Sequence, residues 1–197
     1  MNFDRLAHVY RWIEYGTFGR SLEARRFRFL EDVNGARSVL IFGEGDGRFL
    51  ERLLKATPEA RVDVVDSSAR MLQLARTRGG GDRVRYFHMD ARQFKPEHAY
   101  DLVVTHFFLD CFLEKDVEEL VARLSKVAGV WLISEFRKPK WSAPVLWLLY
   151  TFFQITTGLE GRELTDHRRL LGAHGLEMRK CEESWLGLLA SEFWVKR

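Results

Sequence analysis

The sequence predicts an α/β fold: a seven-stranded sheet of five parallel strands and a C-terminal antiparallel pair, with helices on both faces. Three observations predict it. Five short runs rich in β-branched or aromatic residues, at 38–42, 61–65, 84–88, 102–105 and 130–134, are separated by stretches of helical periodicity. A loop of three alternating glycines, Gly43, Gly45 and Gly47, follows the first run at once. Two more strand-like runs, 176–182 and 189–195, lie too close together for a crossover and therefore pair antiparallel. At 197 residues the chain is long enough for one well-cored domain and too short for two of ordinary size.

In chain order, Leu6, Val9, Tyr10 and Ile13, then Leu22, Phe27 and Leu30, recur at a spacing of three to four and are interrupted by Gly16 and Gly19. That spacing predicts two helices with a break between Asp4 and Asp32. Helical periodicity returns over 48–56, 69–76 and 116–127, each between two of the strand runs, and again over 164–173. The stretch after Phe94 is too short to read as a helix. From Ala143 to Ile155 the chain is apolar but carries Pro144, Thr151 and Gln154. It falls short of the roughly 20 residues of a membrane span and reads as a buried helix or an interfacial surface.

Composition narrows the function classes. Apolar residues at 46% and charged residues at 30% describe a globular chain, and a net charge of +3 leaves nucleic-acid binding to a local basic patch. The one candidate patch, Arg20, Arg25, Arg26 and Arg28, alternates with Leu22, Phe27, Phe29 and Leu30, which reads as the solvated face of an amphipathic helix. Cys111 and Cys181 form no C-x-x-C pair, so neither a metal site nor redox chemistry is expected and a reduced, cytoplasmic setting fits. The first residues lack the apolar core of a signal peptide.

In an open α/β sheet the ligand lies beyond the carboxyl ends of the strands, so the candidate residues are those at strand ends. Glycines at 43, 45 and 47 permit positive φ and let a ligand approach bare backbone. Glu44 and Asp46 between them repel a pyrophosphate and favour a cation. Asp66, at the end of the second strand, can accept the hydroxyls of a ribose, or cap the next helix together with Ser67 and Ser68. Asp90 ends the third strand and can accept from an adenine amino group, or serve the local turn.

These residues carry a resemblance. The chain resembles class I S-adenosylmethionine-dependent methyltransferases, with 39–47, 62–75, 84–91 and 100–108 similar to the family's first four motifs. The run from Asp66 to Ala75 follows the pattern D-x-S-x-x-M-L-x-x-A residue for residue. The resemblance implies a Rossmann-like fold and S-adenosyl-L-methionine held by Gly43, Glu44, Gly45, Asp46, Gly47, Asp66, Ser67, Met71, Asp90, Ala91, Thr105 and His106. One departure is plain: Ile41 stands where the family has an acid for the methionine ammonium, leaving that role to Glu44 or Asp46. The cofactor's chemistry agrees independently, since it carries a sulfonium and an ammonium and no phosphate. A dinucleotide fits poorly, because Arg48 occupies the place of the third glycine in G-x-G-x-x-G and no Tyr-x-x-x-Lys pair is present.

A narrower likeness links Asp4–Tyr10 and Ser134–Pro139 to the quinone-biosynthesis C-methyltransferases, and implies that Tyr10 folds over the cofactor. The organisation expected is one domain, 1–197, with a helical lid at 1–34, a cofactor-binding core at 35–136, an apolar aromatic insertion at 137–163 and a closing helix and strand pair at 164–197. Methyl transfer requires alignment and exclusion of water, and a base when the acceptor carries a proton. His106 and Asp110 are the expected catalytic groups. Tyr15, Phe107, Glu135, Trp141, Trp147 and Tyr150 are the expected acceptor contacts, and they favour a small hydrophobic or aromatic molecule. The same aromatic insertion suits peripheral contact with a membrane, or plain core packing. No signature of nucleic-acid base methylation is present, so no nucleic-acid partner is expected. The competing readings are a domain that holds the cofactor without turnover, for which Ile41 argues, and an NAD(P)-dependent reductase.

Overall fold

The computed structural model describes residues 19–157 and 164–197. Its seven strands are β1 (Ser38–Phe42), β2 (Arg61–Asp66), β3 (Val84–His88), β4 (Leu102–His106), β5 (Val130–Phe136), β6 (Leu176–Ser184) and β7 (Leu189–Lys196). The helices are α1 (Ser21–Phe27), α2 (Arg48–Ala56), α3 (Ala69–Thr77), α4 (Glu114–Leu124), α5 (Ala143–Thr157) and α6 (His167–Ala173). The sheet order is β3-β2-β1-β4-β5-β7-β6. The first five are parallel, and β7 runs against both of its neighbours. This is the fold class that the sequence predicts. The order reverses between β1 and β4, which opens a crevice at their carboxyl ends.

Alternation along the strands divides the core in two. Val39, Ile41, Val62 and Val64 face α2 and α3 and pack against Phe49, Leu50, Leu53, Leu72 and Ala75. Leu40, Phe42, Val103, Trp131 and Ile133 face the other way, onto Val117, Leu120, Val121 and Leu124 of α4 and Leu170 and Leu171 of α6. Leu50 and Leu53 expose no surface, and each such burial contributes roughly 2 kcal/mol of transfer free energy. Ile41 belongs to the first layer at 1% exposure, so an acid there would be buried among apolar side chains.

Helix ends follow their caps. Ser68 caps α3 by accepting the Met71 N–H at 3.1 Å, while Asp66 Oδ1 accepts the Ser68 N–H at 2.8 Å. Asp166 caps α6 by accepting the Arg169 N–H at 3.1 Å, which starts that helix three residues later than periodicity predicts. Of the two N-terminal helices predicted, the second is α1, and the first lies outside the described residues. The arginines of α1 are structural. Arg25 and Arg28 both pair with Glu182 of β6, at 2.7 and 2.5 Å, and Arg26 lies over the Phe107 ring at 5.5 Å. Among the described residues no helix is long and apolar enough to cross a membrane, and no side-chain cluster can hold a metal ion.

One polar group is buried inside β2. Asp63 accepts from Arg85 Nε and Nη2, both at 2.7 Å, and from the Tyr100 hydroxyl at 2.6 Å, joining β2, β3 and the chain entering β4. Removing the acid leaves the buried Tyr100 phenol without its acceptor and the Arg85 guanidinium with Glu97 alone, at 3.2 Å. Asp63→Ala is expected to cost about 2 kcal/mol, read as a lower urea midpoint at unchanged slope. A midpoint equal to that of the parent chain would show that the network is energetically idle.

Candidate active site

The turn from β1 into α2 is a ledge of bare backbone. Gly43, Gly45 and Gly47 have φ of +64°, +70° and +87°. A Cβ on Gly43 would lie 2.4 Å from Phe108 Cδ2, and one on Gly47 would lie 2.6 Å from the Ala75 Cα. Around Gly45 there is nothing within 4 Å of that position. The loop is therefore clamped at both ends and open in the middle.

The two acids of the loop have different fates. Asp46 is consumed by structure: its carboxylate accepts from Arg48 Nε at 2.9 Å and Arg78 Nη2 at 3.2 Å, and its carbonyl accepts from Arg78 Nε at 2.6 Å. Glu44 Oε1 accepts the Leu50 N–H at 2.9 Å in the first turn of α2, but Oε2 is buried with no hydrogen-bond partner among the described residues. Burial pushes the Glu44 carboxyl up to about 8, against the opposing pull of the Leu50 amide and of Arg26. A cation placed beside it would restore its charge.

Next to the ledge a cleft opens between Val65, Asp66 and Ser67 at the end of β2, Met89, Asp90 and Ala91 after β3, and Phe108 and Phe112 beyond β4. It has an acid at each of two strand ends and an aromatic wall. Asp90 accepts the Arg92 N–H at 2.9 Å and holds the Arg92 guanidinium at 2.6 Å, and these bonds draw its carboxyl below the usual range. Met71 is buried beneath the helix cap and is not among the cleft's lining residues.

At the ends of β4 and β5 the expected catalytic groups separate. His106 is 6% exposed, with its ring edge-on to Phe49 at 4.6 Å and neither ring nitrogen hydrogen-bonded among the described residues. Burial, aided by Arg26, drives its pKa well down, so the imidazole is neutral. Asp110 belongs to the other layer, in the turn Leu109–Cys111, where the Cys111 thiol reaches it at 3.7 Å. Burial raises its carboxyl to about 6, opposed by Cys111 and His167. Its neighbour there is Glu135, 2% exposed, whose Oε1 accepts the Phe108 and Leu109 N–H groups at 3.0 and 2.8 Å and whose Oε2 has no partner among the described residues. Burial, then the charge of Asp110, pushes Glu135 well above the ordinary carboxylate range. Thr105 Oγ1, fully buried, also lacks a partner among the described residues.

Other expected residues fall elsewhere. Tyr10 and Tyr15 lie outside the described residues, as does the side chain of Tyr150 in α5. Phe107, at φ +54°, packs on Phe136 at 5.2 Å in a small cluster with Leu22, Leu146, Leu188 and Leu189. Trp141 and Trp147 are on the exterior, 44% and 69% exposed. The cleft residues that sequence reasoning missed are Val65, Met89, Phe108 and Phe112. Phe108 stands one position from a residue that was expected, and only its place two beyond the end of β4 pointed to it.

Comparison with known proteins bears on this arrangement. Residues 39–129 match the family model described as a methyltransferase domain. Over 74 residues the chain is 43% identical to trans-aconitate 2-methyltransferase of Enterobacter sp. (strain 638), covering 38% of this chain and 27% of that one. Over 139 residues it is 25% identical to malonyl-[acyl-carrier protein] O-methyltransferase 2 of Ilyobacter polytropus, covering 70% of this chain and 53% of that one. The chain thus spans about half or less of these curated relatives. Among solved structures, magnesium protoporphyrin IX methyltransferase of Synechocystis PCC 6803 superposes with a TM-score of 0.69 at 16% identity, over 99% of this chain and 97% of that one. Mitomycin 7-O-methyltransferase superposes at 0.72 and 19% identity, over all of this chain and 61% of that one. These likenesses are of fold.

Glu44 sets a pH dependence. Its carboxyl titrates near 8 when folded and at its ordinary 4.5 when unfolded, so the folded chain binds more protons between those values. Stability contributed at this position falls as pH rises through that window and is level above it. Glu44→Gln is expected to gain in urea midpoint relative to the parent chain from the lower end of the window to the upper. A difference that does not change with pH would mean that the acid is solvated.

Proposed function

We propose that this chain, whose residues 39–129 match the methyltransferase-domain model, is a class I S-adenosylmethionine-dependent methyltransferase that transfers a methyl group to a small hydrophobic or aromatic acceptor. The observation that carries the reading is the acidic ledge. An open backbone at Gly45 lies beside a buried carboxylate oxygen of Glu44 that has no partner among the described residues, next to a cleft lined by Asp66 and Asp90. That donor set suits a ligand bearing a ribose, an adenine and an ammonium, and offers nothing to a pyrophosphate.

When bound, S-adenosyl-L-methionine supplies a methyl group on a sulfonium centre whose charge is lost on transfer. The rest of the work belongs to the chain. Asp66 holds the ribose hydroxyls, with Ser67 beside it, and Asp90 and Ala91 meet the adenine edge between the apolar walls of Met89 and Phe112. Gly43, Gly45 and Gly47 keep the ledge flat, Asp46 braces it through Arg48 and Arg78, and Glu44 takes the ammonium in place of the acid that Ile41 displaces. Met71 supports this wall from beneath, and Thr105 and His106 border the methionine end; Tyr10, the expected cover, lies outside the described residues.

The acceptor then approaches past the ends of β4 and β5, beside Phe107 and Glu135; of the other expected contacts, Tyr15 and the Tyr150 side chain lie outside the described residues, and Trp141 and Trp147 stand on the exterior. Where the acceptor carries an acidic proton, Asp110 removes it, held in place by Glu135; His106, neutral and in the other layer, acts as a polar contact. The names of the curated relatives include a tricarboxylate and a carrier-borne malonyl group, which supports an acceptor of metabolite size without choosing one.

Calorimetric titration with S-adenosylmethionine and with its demethylated product tests the reading. Both are expected to bind, and Asp66→Ala to weaken binding about ten-fold or more. At neutral pH, ionisation of Glu44 beside the ammonium releases a proton, so the heat varies with the buffer, and Glu44→Gln abolishes that variation. Absence of binding by either ligand overturns the assignment, while binding without transfer of labelled methyl to any metabolite extract favours a domain that holds the cofactor without turnover.

Asp110→Asn should lower kcat about 100-fold at unchanged cofactor affinity, and remove an acid limb near pH 6 that otherwise lifts the rate as pH rises. An unchanged kcat would remove Asp110 from catalysis.

A further inference from the structure

Eight large apolar side chains among the described residues are exposed, and six of them stand on two linked elements: Trp141, Val145, Trp147, Leu148, Trp185 and Leu186. Two elements build the patch. One is the entrance and first turns of α5, whose fifteen residues include no charge. The other is the tip of the β6–β7 hairpin, tied to it by Trp141 Nε1 donating to the Leu186 carbonyl at 3.2 Å. Leu186 is 86% exposed, Trp147 69% and Leu148 64%, so these side chains add little to the fold.

The hairpin tip sharpens the point. Trp185, Leu186 and Gly187 have φ of +53°, +52° and +85°, closed by the Leu188 N–H donating to the Trp185 carbonyl at 3.0 Å. Turns of this kind take Asn and Gly because bulky side chains are strained at positive φ. Here a tryptophan and a leucine take that strain: the Trp185 indole donates to Ser21 Oγ at 2.7 Å, while Leu186 faces solvent, which a turn selected for stability alone would avoid.

Charge beside the patch selects the occupant. Arg137 is paired with Glu183, but Lys138 and Lys140, both exposed and immediately before Trp141, have no carboxylate partner among the described residues. Exposed tryptophans and leucines flanked by unpaired lysines match the boundary of an anionic bilayer, where indole rings sit at headgroup level and lysines meet lipid phosphate. The core of a protein interface is instead depleted of lysine. The patch lies at the carboxyl edge of the sheet, since Leu189 pairs with Phe136 at the end of β5. Its inner side, Leu146 and Leu188, packs in one cluster with Phe107, which neighbours the Phe108 that rests on Gly43.

We propose that this chain docks on anionic membrane surfaces through the start of α5 and the β6–β7 tip, with the carboxyl edge of the sheet turned to the lipid. The proposal is independent of methyl transfer, and its failure leaves the cofactor titrations above untouched. The test is sedimentation with vesicles of phosphatidylcholine, with and without phosphatidylglycerol, with tryptophan fluorescence quenched by brominated lipid as the second readout. Binding to the anionic vesicles with quenching is expected. Leu186→Ser with Leu148→Ser should abolish it while the circular dichroism and cofactor binding of the parent chain persist. Lys138→Ala with Lys140→Ala should weaken it about ten-fold or more, the loss vanishing in high salt. No binding to either vesicle overturns the proposal. So does a concentration-dependent dimer that Leu186→Ser dissociates, or binding without quenching, since the patch would then face protein.

Discussion

The close approach of backbone to side chain around Gly43 and Gly47 is the constraint on which the site depends. With no Cβ at either position, Phe108 settles on one end of the loop and α3 on the other, so the turn between β1 and α2 is held from both sides. Everything near it inherits that fixity. The Gly43 N–H donates to the Val65 carbonyl at 3.0 Å, which aligns the loop with the end of β2 and hence with Asp66. The Glu135 carboxylate, gripping the Phe108 and Leu109 amides, sets the far wall from another strand altogether. A rigid ledge between two anchored walls places its polar groups before any ligand arrives, which is the form that preorganised binding takes.

Much of this was legible in the sequence. β1, β3 and α2 begin and end where composition and periodicity put them; for β1 the reason is that a buried central strand is continuously apolar and a glycine loop marks where it stops. Boundaries moved where a distant partner or a cap decides them. β5 runs on to Phe136 because β7 pairs with it there, and α4 starts at Glu114 in place of Asp116, putting two acids in its first turn.

The site was legible in kind and less so in detail. That two acids lie between glycines is plain from the chain, but which one remains for a ligand depends on Arg78, 32 residues from Asp46. His106 and Asp110 look like neighbours in sequence, yet the end of the strand and the turn that follows send them to different layers. The role of Phe108 as the wall over Gly43 was not legible for a related reason. Its position follows from the positive φ of Phe107 and from a carboxylate 27 residues away, and no local pattern encodes either.

The place of β7 bears on how the chain is made. It lies between β5 and β6 although it is synthesised after both. While translation proceeds, β5 therefore has an open edge and β6 has no neighbour at all, and the sheet joins only when residues 189–196 emerge from the ribosome. Nascent edges of that sort invite pairing with other chains. Glu177, Arg179, Lys180, Glu182 and Glu183 crowd β6 with charge, so the strand that has no neighbour at all until β7 arrives is the one least able to recruit a stranger.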